Sequence, residues 1–244
     1  MKLKGIIFDI NGTLTDIHTD EGYEEIYRAI SHFLTYRGIY LHRWEVRDAY
    51  FQIMDEQRLL SGEKYPEFDA VGIWQAFLRR YLPKSKGKPK SSDPTPRFLA
   101  EMYRGISRFR LALYPDVKAV LDELRPRYQM AVVSDGQSAW AEPELKAVGL
   151  DGYFAPVIVS GDFGYRKPDR RLFHAALTTM GLTPEQVIFV GNDMYRDVYG
   201  AGRLGMKTVF FSSNQGGKEP AGVNPDYIIY RFAELRQAMD FLKE

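Results

Sequence analysis

The stretch that decides the fold is Ile6-Ile7-Phe8-Asp9-Ile10-Asn11-Gly12-Thr13-Leu14-Thr15-Asp16, in which an apolar segment runs into a carboxylate and a glycine turn. The apolar start is typical of a buried β-strand, and the glycine is typical of the turn that ends it. In open α/β sheets, ligands bind beyond the carboxyl ends of the strands. Asp9 is therefore a candidate nucleophile or metal ligand. Taken alone, it is equally well explained as a cap of the following turn.

Strand and helix patterns alternate through the second half of the chain. This alternation predicts an α/β fold, with a mostly parallel sheet and helices on both faces. The predicted strands after the first one run from Met130 to Ser134, Pro156 to Ser160, Val187 to Val190, Thr208 to Phe211 and Tyr227 to Tyr230.

Between the first strand and the remaining strands, the pattern is helical. After Thr15, apolar residues recur at helical spacing, and helical patterns continue to about residue 110. The sequence therefore predicts a sheet-containing core formed by residues 1–16 and 111–244. It also predicts an all-helical domain formed by residues 17–110.

Composition excludes several classes of protein. The 244 residues carry a formal net charge of +1, so no strong field attracts nucleic acid or an acidic membrane. The chain has no cysteine, which excludes disulfides and thiolate metal sites. No apolar stretch reaches the ~18 residues that a membrane-spanning helix needs. We expect a cytoplasmic protein, monomeric or homodimeric, that acts on a small molecule and binds neither nucleic acid nor membrane.

Polar side chains follow the predicted strands at four places. Ser134 ends one strand, Lys167 precedes a predicted helix, and Asp193 and Asp197 follow the Val187 to Val190 strand. Each has a structural explanation by itself, as a helix cap, a surface charge or a solvated first turn. Because the ends of parallel strands lie along one edge, all of them are predicted to meet Asp9. Clustered carboxylates need a cation, oxygen ligands favour Mg²⁺, and the set suits phosphoryl transfer.

These segments resemble the four motifs of the haloacid dehalogenase superfamily. The resemblance rests on Phe8 to Asp16, the strand ending in Ser134, Lys167 before Pro168, and Val190-Gly191-Asn192-Asp193-Met194-Tyr195-Arg196-Asp197. It implies a Rossmann-like core with a helical cap inserted between the first and second motifs, and a magnesium-dependent phosphatase. It also implies that Asp9 is the nucleophile, that Ser134 and Lys167 hold the phosphoryl group, and that Asp193 and Asp197 hold or orient the metal.

Two positions depart from the phosphatases of that family. Asn11 stands where they carry a second aspartate for proton transfer, although its main-chain carbonyl still suits Mg²⁺. Asn192 stands where they most often place an acidic metal ligand, so either its amide oxygen or Asp193 takes that role. An amide cannot exchange a proton at neutral pH, and acid–base help is worth ~10²–10⁴ in rate.

Three functions remain open from the sequence. The first is a slowed phosphatase, whose proton comes from water or from a cap residue such as His18. The second is a metal-free 2-haloacid dehalogenase, which would need a cap arginine such as Arg28, Arg37 or Arg43. The third is a binding protein without catalysis. The predicted site comprises the catalytic residues Asp9, Asn11, Ser134 and Lys167, the substrate-binding residues Gly12, Thr13, Asp135 and Gly136, and the metal ligands Asp9, Asn11, Asn192, Asp193 and Asp197.

Overall fold

The apolar strands pair into one parallel sheet. The computed structural model describes residues 2–83, 92–219 and 222–243. In chain order the strands are β1 (Gly5–Phe8), β2 (Thr15–Thr19), β3 (Arg108–Leu113), β4 (Gln129–Ser134), β5 (Val157–Val159), β6 (Val187–Gly191), β7 (Lys207–Phe211) and β8 (Tyr227–Ile229). Six of them form a sheet in the order β5-β4-β1-β6-β7-β8, and each neighbouring pair is parallel. The α/β prediction is confirmed.

Both faces of this sheet are buried, as a parallel sheet requires. Ile6 and Phe8 of β1 face one apolar cluster, and Ile7 between them faces the other. This alternation follows from the two-residue period of a strand. It explains why the strand is apolar throughout and why the first polar position, Asp9, lies just beyond its end.

The helices after β3 cover the two faces of the sheet, and the helices before β3 pack separately. All described helices are named here in chain order. They are α1 (Glu24–Tyr36), α2 (Arg43–Leu60), α3 (Ala70–Tyr81), α4 (Thr95–Ser107), α5 (Val117–Leu124), α6 (Ser138–Ala147), α7 (Arg170–Met180), α8 (Gly200–Gly202) and α9 (Leu235–Leu242). Helices α5, α6 and α9 pack on the first face, and α7 packs on the second. A π-helical turn, Met194–Tyr199, precedes α8. Within the three described ranges, no helix is long and apolar enough to cross a membrane.

Helices α1 to α4 form a separate apolar cluster, which we call the helical unit. Its core contains large buried aromatic side chains, among them Tyr27, Tyr50, Trp74 and Phe77. Trp140 of α6 belongs to the same cluster, and its Nε1 donates a hydrogen bond to the carbonyl oxygen of Ala100 at 2.9 Å. The helical unit therefore packs directly on the sheet-containing core through α6, a helix that the sequence analysis did not predict.

A two-stranded ribbon joins the helical unit to the core. β2 pairs with β3 in antiparallel register, with Thr15 opposite Leu113 and His18 opposite Arg110. The prediction that the chain turns helical directly after Thr15 was therefore wrong. Thr15–Thr19 is only five residues long and mixes polar with apolar side chains, so its strand character comes from pairing with β3 rather than from local pattern. The ribbon crosses both predicted domain boundaries.

Candidate active site

The site lies where the strand order of the sheet reverses. From β1 the chain runs through β4 to β5 on one side, and then through β6, β7 and β8 on the other. In such sheets the crevice beyond the carboxyl ends of the two central strands is the usual ligand site. Asp9 follows β1, Ser134 ends β4, and Asn192 follows β6. The topology thus brings together residues that are far apart in sequence.

Asp9 is held through one of its two carboxylate oxygens. The Ser134 hydroxyl and the Lys167 ammonium both donate to Asp9 Oδ1, each at 2.8 Å. Among the described residues, none donates a hydrogen bond to Oδ2. Asp9 as a residue is only 7% exposed, so these contacts fix the orientation of its carboxylate. Oδ2 is the oxygen available for attack or for binding a cation.

Lys167 is a buried ammonium between two carboxylates. Its Nζ also donates to Asp197 Oδ1 at 2.6 Å, and the side chain is almost inaccessible to solvent. Burial alone would lower the pKa of Lys167, but the charges of Asp197 and Asp9 raise it above its ordinary value. The lysine is therefore a proton-bearing cation that fixes both carboxylates.

Asp197 positions the loop after β6. Its Oδ2 accepts hydrogen bonds from the main-chain N–H groups of Asn192 and Asp193, both at 3.0 Å. Burial raises the pKa of the Asp197 carboxyl, and the neighbouring Lys167 ammonium opposes that rise. Both of its oxygens are thus occupied by donors from the protein.

Asn192 lies against the turn that follows Asp9. The Thr13 hydroxyl donates to its Oδ1 at 3.0 Å. Gly12 has a φ of +85°, and a Cβ there would lie 2.1 Å from Asn192 Nδ2. Only glycine permits both the backbone conformation and the close approach. Of the predicted substrate-binding residues, Gly12 and Thr13 therefore hold Asn192 in place.

Asp193 acts as a cap in this structure. Its Oδ1 accepts from the N–H groups of Tyr195 and Arg196 at 3.0 and 2.7 Å, and its Oδ2 accepts from Gly217 N at 3.0 Å. The Arg196 guanidinium also bonds to Oδ2, with Nε at 2.9 Å. Although burial raises the pKa of Asp193, these contacts with Arg196 hold it below its ordinary value. Its carboxylate is directed to protein donors.

Asn11 and Asp135 border the crevice on either side. The Thr15 hydroxyl donates to Asn11 Oδ1 at 3.1 Å, which orients the amide. Asp135 Oδ1 accepts from the Lys167 main-chain N–H at 2.9 Å, and the Arg166 guanidinium approaches Oδ2 at 3.4 Å. Asp135, which was predicted to bind substrate, thus contacts the main chain of Lys167 and also lines the pocket. Gly136 donates its N–H to Ser160 Oγ at 2.9 Å.

The candidate arginines and histidine of the helical segment lie elsewhere. Arg28 and Arg43 pair with Glu25 and Glu24, and Arg37 pairs with Asp93. His18 is exposed on β2, where its ring packs against Phe109 with centroids 6.1 Å apart. The crevice instead receives side chains that the sequence analysis did not single out: Arg104 from α4, and Gln137, Trp140 and Glu144 from the segment ending in α6.

These residues close the crevice. Gln137 accepts from Ala70 N at 2.9 Å and donates to the Phe68 carbonyl at 2.6 Å, which ties the core to the start of α3. Arg104 forms a two-point contact with the buried carboxylate of Glu144, at 2.7 and 3.1 Å. The pocket between them measures ≈20 Å³, which is room for about one water molecule.

Few oxygen atoms near Asp9 are free to bind a divalent cation. In the part of the chain that the structure describes, no group of three or more His, Cys, Asp or Glu side chains is arranged to hold a metal. Asp9 Oδ2, the Asn11 carbonyl and the Asn192 amide oxygen are the remaining candidates. Mg²⁺ is commonly bound by one or two carboxylates, several waters and the substrate phosphate. The residues present therefore offer three oxygen atoms, which fits an ion that keeps several of its waters.

Comparison with known proteins gives relatives of two kinds. Residues 3–205 match the model of a family described as haloacid dehalogenase-like hydrolase. A phosphoserine phosphatase of Thermus thermophilus is 32% identical over 185 residues, which cover 73% of this chain and 70% of that protein. An (S)-2-haloacid dehalogenase 4A of Burkholderia cepacia is 24% identical over 255 residues, which cover 99% and 93%.

A solved structure shares the fold over nearly the whole chain. The structure of a HAD phosphatase from Thermococcus onnurineus superposes with a TM-score of 0.62 at 24% identity, covering 97% of this chain and 98% of that one. The match includes the helical unit as well as the sheet, since it extends over almost all residues.

Proposed function

This chain belongs to the haloacid dehalogenase-like hydrolases, and we propose that it is a Mg²⁺-dependent phosphatase of a small phosphorylated metabolite that forms an aspartyl-phosphate on Asp9. The observation that supports this proposal is that the hydrogen bonds to Asp9 reach only one of its two carboxylate oxygens. Ser134 and Lys167 both bond to Oδ1, at 2.8 Å each, so Oδ2 has no donor among the described residues and is the oxygen left to act as nucleophile. The resemblance to the phosphoserine phosphatase of Thermus thermophilus supports phosphate as the group transferred.

In the first half of the reaction, Asp9 Oδ2 attacks the phosphorus atom. A new O–P bond forms to Asp9, and the bond from phosphorus to the leaving oxygen breaks with its electron pair. The Lys167 ammonium lies 2.8 Å from Asp9, so its charge also lies close to the oxygens of a phosphoryl group on Asp9. The Ser134 hydroxyl is positioned to donate to the same group.

In the second half, water attacks the phosphorus of the aspartyl-phosphate. The O–P bond to Asp9 breaks, phosphate is released, and the carboxylate is restored. The departing alkoxide needs a proton in the first half, and the attacking water loses one in the second. Because the Asn11 amide cannot exchange either proton, we assign both transfers to water. This assignment predicts turnover slower by ~10²–10⁴ than a carboxylic acid at position 11 would give.

Mg²⁺ would offset the charge of the phosphorylated substrate. Asp9 and Asp197 together carry one more charge than Lys167 balances, so a phosphate dianion meets a net negative site. A divalent cation supplies the missing positive charge and neutralises the oxygens of the transferred group. Asp9 Oδ2, the main-chain carbonyl of Asn11 and the amide of Asn192 would hold it.

We further propose that residues 17–110 act as a cap over a core of residues 1–16 and 111–244. The pocket of ≈20 Å³ is too small for a phosphorylated metabolite, so the helical unit must move away from α6 to admit one. Closure then holds the substrate beside Asp9 while the reaction proceeds. The Gln137 contacts with Ala70 and Phe68 are the closing contacts.

A dehalogenase is the second candidate, and the neutral side chains favour it. Asn11 and Asn192 both remove charge from the site, and attack of Asp9 on a carbon that bears a halogen needs no metal. The structure supplies an argument against it. Arg104 is the helical-unit arginine that lines the pocket, and its guanidinium is already paired with the buried Glu144 carboxylate. A substrate carboxylate would have to displace that partner.

The test is to measure product release with two substrate classes. We expect phosphate release from an aryl phosphate that depends on added Mg²⁺ and disappears in Asp9→Asn. Halide release from a 2-haloacid without metal, with no phosphate release, would establish the dehalogenase instead. If neither substrate class gives a product and the protein binds no divalent ion, the protein is a binding protein without catalysis. A cytoplasmic location and a monomeric or homodimeric state stay predictions.

A further inference from the structure

A second groove lies beside the Lys167 loop, outside the pocket lined by Asn11 and Ser134. Its volume is ≈440 Å³, far more than the pocket of ≈20 Å³. One wall comes from Lys64 and Tyr65 of the helical unit. The other comes from the start of α7, with Arg170 and Arg171, and from Arg203 after α8. The groove therefore spans the two parts of the molecule.

The charges around this groove are unbalanced. Arg171 pairs with Asp169 at 2.7 Å and also with Glu63, so its charge is compensated. The other cations, Lys64, Arg170 and Arg203, have no carboxylate within 4.0 Å in the described ranges. The Arg203 guanidinium donates to the Tyr199 hydroxyl, at 3.1 Å. Asp169 is the one acidic residue in the lining, and Arg171 neutralises it. Three uncompensated cations thus face one concave space.

Part of the groove is already rigid. The Arg171 guanidinium lies 3.6 Å from the centre of the Tyr165 ring, and Asp169 accepts from both its main-chain and side-chain N–H groups. The Tyr65 hydroxyl lies 3.0 Å from the Tyr195 hydroxyl. These contacts fix Arg171 and Tyr65 and so hold the shape of the groove, while its three uncompensated cations are exposed and accessible to an anion.

We propose that this groove binds a small organic polyphosphate, an anion with at least two linked phosphoryl groups. Arginine presents a planar fork of donors that matches phosphate oxygens, and two of the free cations are arginines. The three cations come from two walls of the groove, Lys64 from one and Arg170 and Arg203 from the other. A linked chain of phosphoryl groups can bridge the walls.

Such a ligand would also tie the helical unit to the catalytic loop. The Tyr65 carbonyl accepts from Arg166 N at 2.9 Å, one residue before Lys167. An anion held by Lys64 on one side and Arg170 and Arg203 on the other adds ionic contacts across this same junction. Binding should therefore raise the midpoint of thermal unfolding, and at concentrations above Kd the rise should grow with the logarithm of ligand concentration.

The experiment is calorimetric titration of the full chain with inorganic tripolyphosphate at low salt. We expect Arg203→Gln and Arg170→Gln each to weaken binding by about tenfold, because each removes a charge-assisted contact. Arg79→Gln is the matched control: this exposed arginine of α3 also lacks a carboxylate within 4.0 Å among the residues that the structure describes, but it lies outside the groove. It should change the affinity by less than about twofold.

Two outcomes would overturn the proposal. If the groove variants bind tripolyphosphate as tightly as the parent, the anion binds elsewhere, for example at Asp9. If Arg79→Gln weakens binding as much as they do, the attraction is a general effect of surface charge. Arg170 and Arg203 are exposed, so we expect all three variants to unfold at the parent temperature without ligand, which the same samples can verify.

Discussion

Asn11 is the side chain that most limits the proposed chemistry. It has the shape of aspartate and accepts the Thr15 hydroxyl at 3.1 Å, a contact that an aspartate at this position can also accept. We expect Asn11→Asp to raise kcat for an aryl phosphate by roughly 10²-fold or more, since a proton donor and acceptor is restored. Steady-state kinetics with saturating Mg²⁺ would measure this.

The control at this position is Asn11→Ala, which keeps the main-chain carbonyl and has no titratable group. It should stay at or below the parent rate. A rate for Asn11→Asp no higher than that of Asn11→Ala would show that proton transfer at this position does not limit the reaction.

Lys167 is expected to matter for stability as well as for catalysis. Its Nζ lies 2.8 Å from Asp9 and 2.6 Å from Asp197, and all three groups are buried. Lys167→Met would leave two buried carboxylates without a counter-charge, at a cost of about 3–5 kcal/mol in unfolding free energy. Lys207→Met removes an exposed lysine paired with Asp226 and should cost less than about 1 kcal/mol. Urea unfolding of both variants at neutral pH compares them, and equal losses would contradict the role given to Lys167.

The turn between β1 and β2 depends on Gly12. Gly12→Ala combines a positive φ with a Cβ 2.1 Å from Asn192 Nδ2, whereas Gly152→Ala has a φ of +67° and no atom within 4 Å. We expect about 1–2 kcal/mol of lost stability for Gly152→Ala, from the backbone alone. Gly12→Ala should lose more and should also lose activity, because Asn192 is displaced. Thermal unfolding and aryl phosphate hydrolysis would show this, and equal behaviour of the two variants would refute it.

The sequence predicts an element correctly where the local residue pattern determines its structure. It does not where the structure depends on packing against another part of the chain. Met130 to Ser134 and Val187 to Val190 are uniformly apolar and form buried strands as predicted. Thr15–Thr19 has no such pattern and becomes a strand only opposite β3. Helix α6 contains Pro143 and has a weak apolar stripe, because it packs on both the core and the helical unit.

The same distinction holds for the site. Asp9 and Ser134 are recognisable because each lies at a strand end, and Lys167 because it precedes a predicted helix; the structure places Ser134 Oγ and Lys167 Nζ each 2.8 Å from Asp9 Oδ1. Asp193 looks like a metal ligand in sequence, but its carboxylate caps the π-helical turn and pairs with Arg196. Arg104 of α4 and Glu144 of α6 come into contact through the packing of the helical unit on α6. No local sequence pattern therefore predicts this pair.

For the molecule as a whole, Glu67 predicts a pH dependence. Burial raises its pKa above the ordinary 4.5, while Arg166 and Ser160 oppose the rise. Its stabilising contribution is therefore complete below about pH 4.5 and is lost as the pH rises through its folded-state value. The stability of Glu67→Gln relative to the parent should increase between about pH 4 and about pH 8. Urea unfolding across that range tests this, with the exposed Glu142→Gln as control; parallel curves for Glu67→Gln and the parent would contradict it.

The β2–β3 ribbon has a consequence for how such a chain can diversify. Helices α1 to α4 leave the core after Thr19 and return at Arg108, and these two residues are paired with each other. All six strands of the large sheet lie outside the segment between Thr19 and Arg108, as do Asp9, Ser134 and Lys167. We expect that replacing these helices by a foreign helical module, joined at the ribbon, would leave Asp9, Ser134 and Lys167 in place. The substrate selectivity could then change while the reaction stays the same.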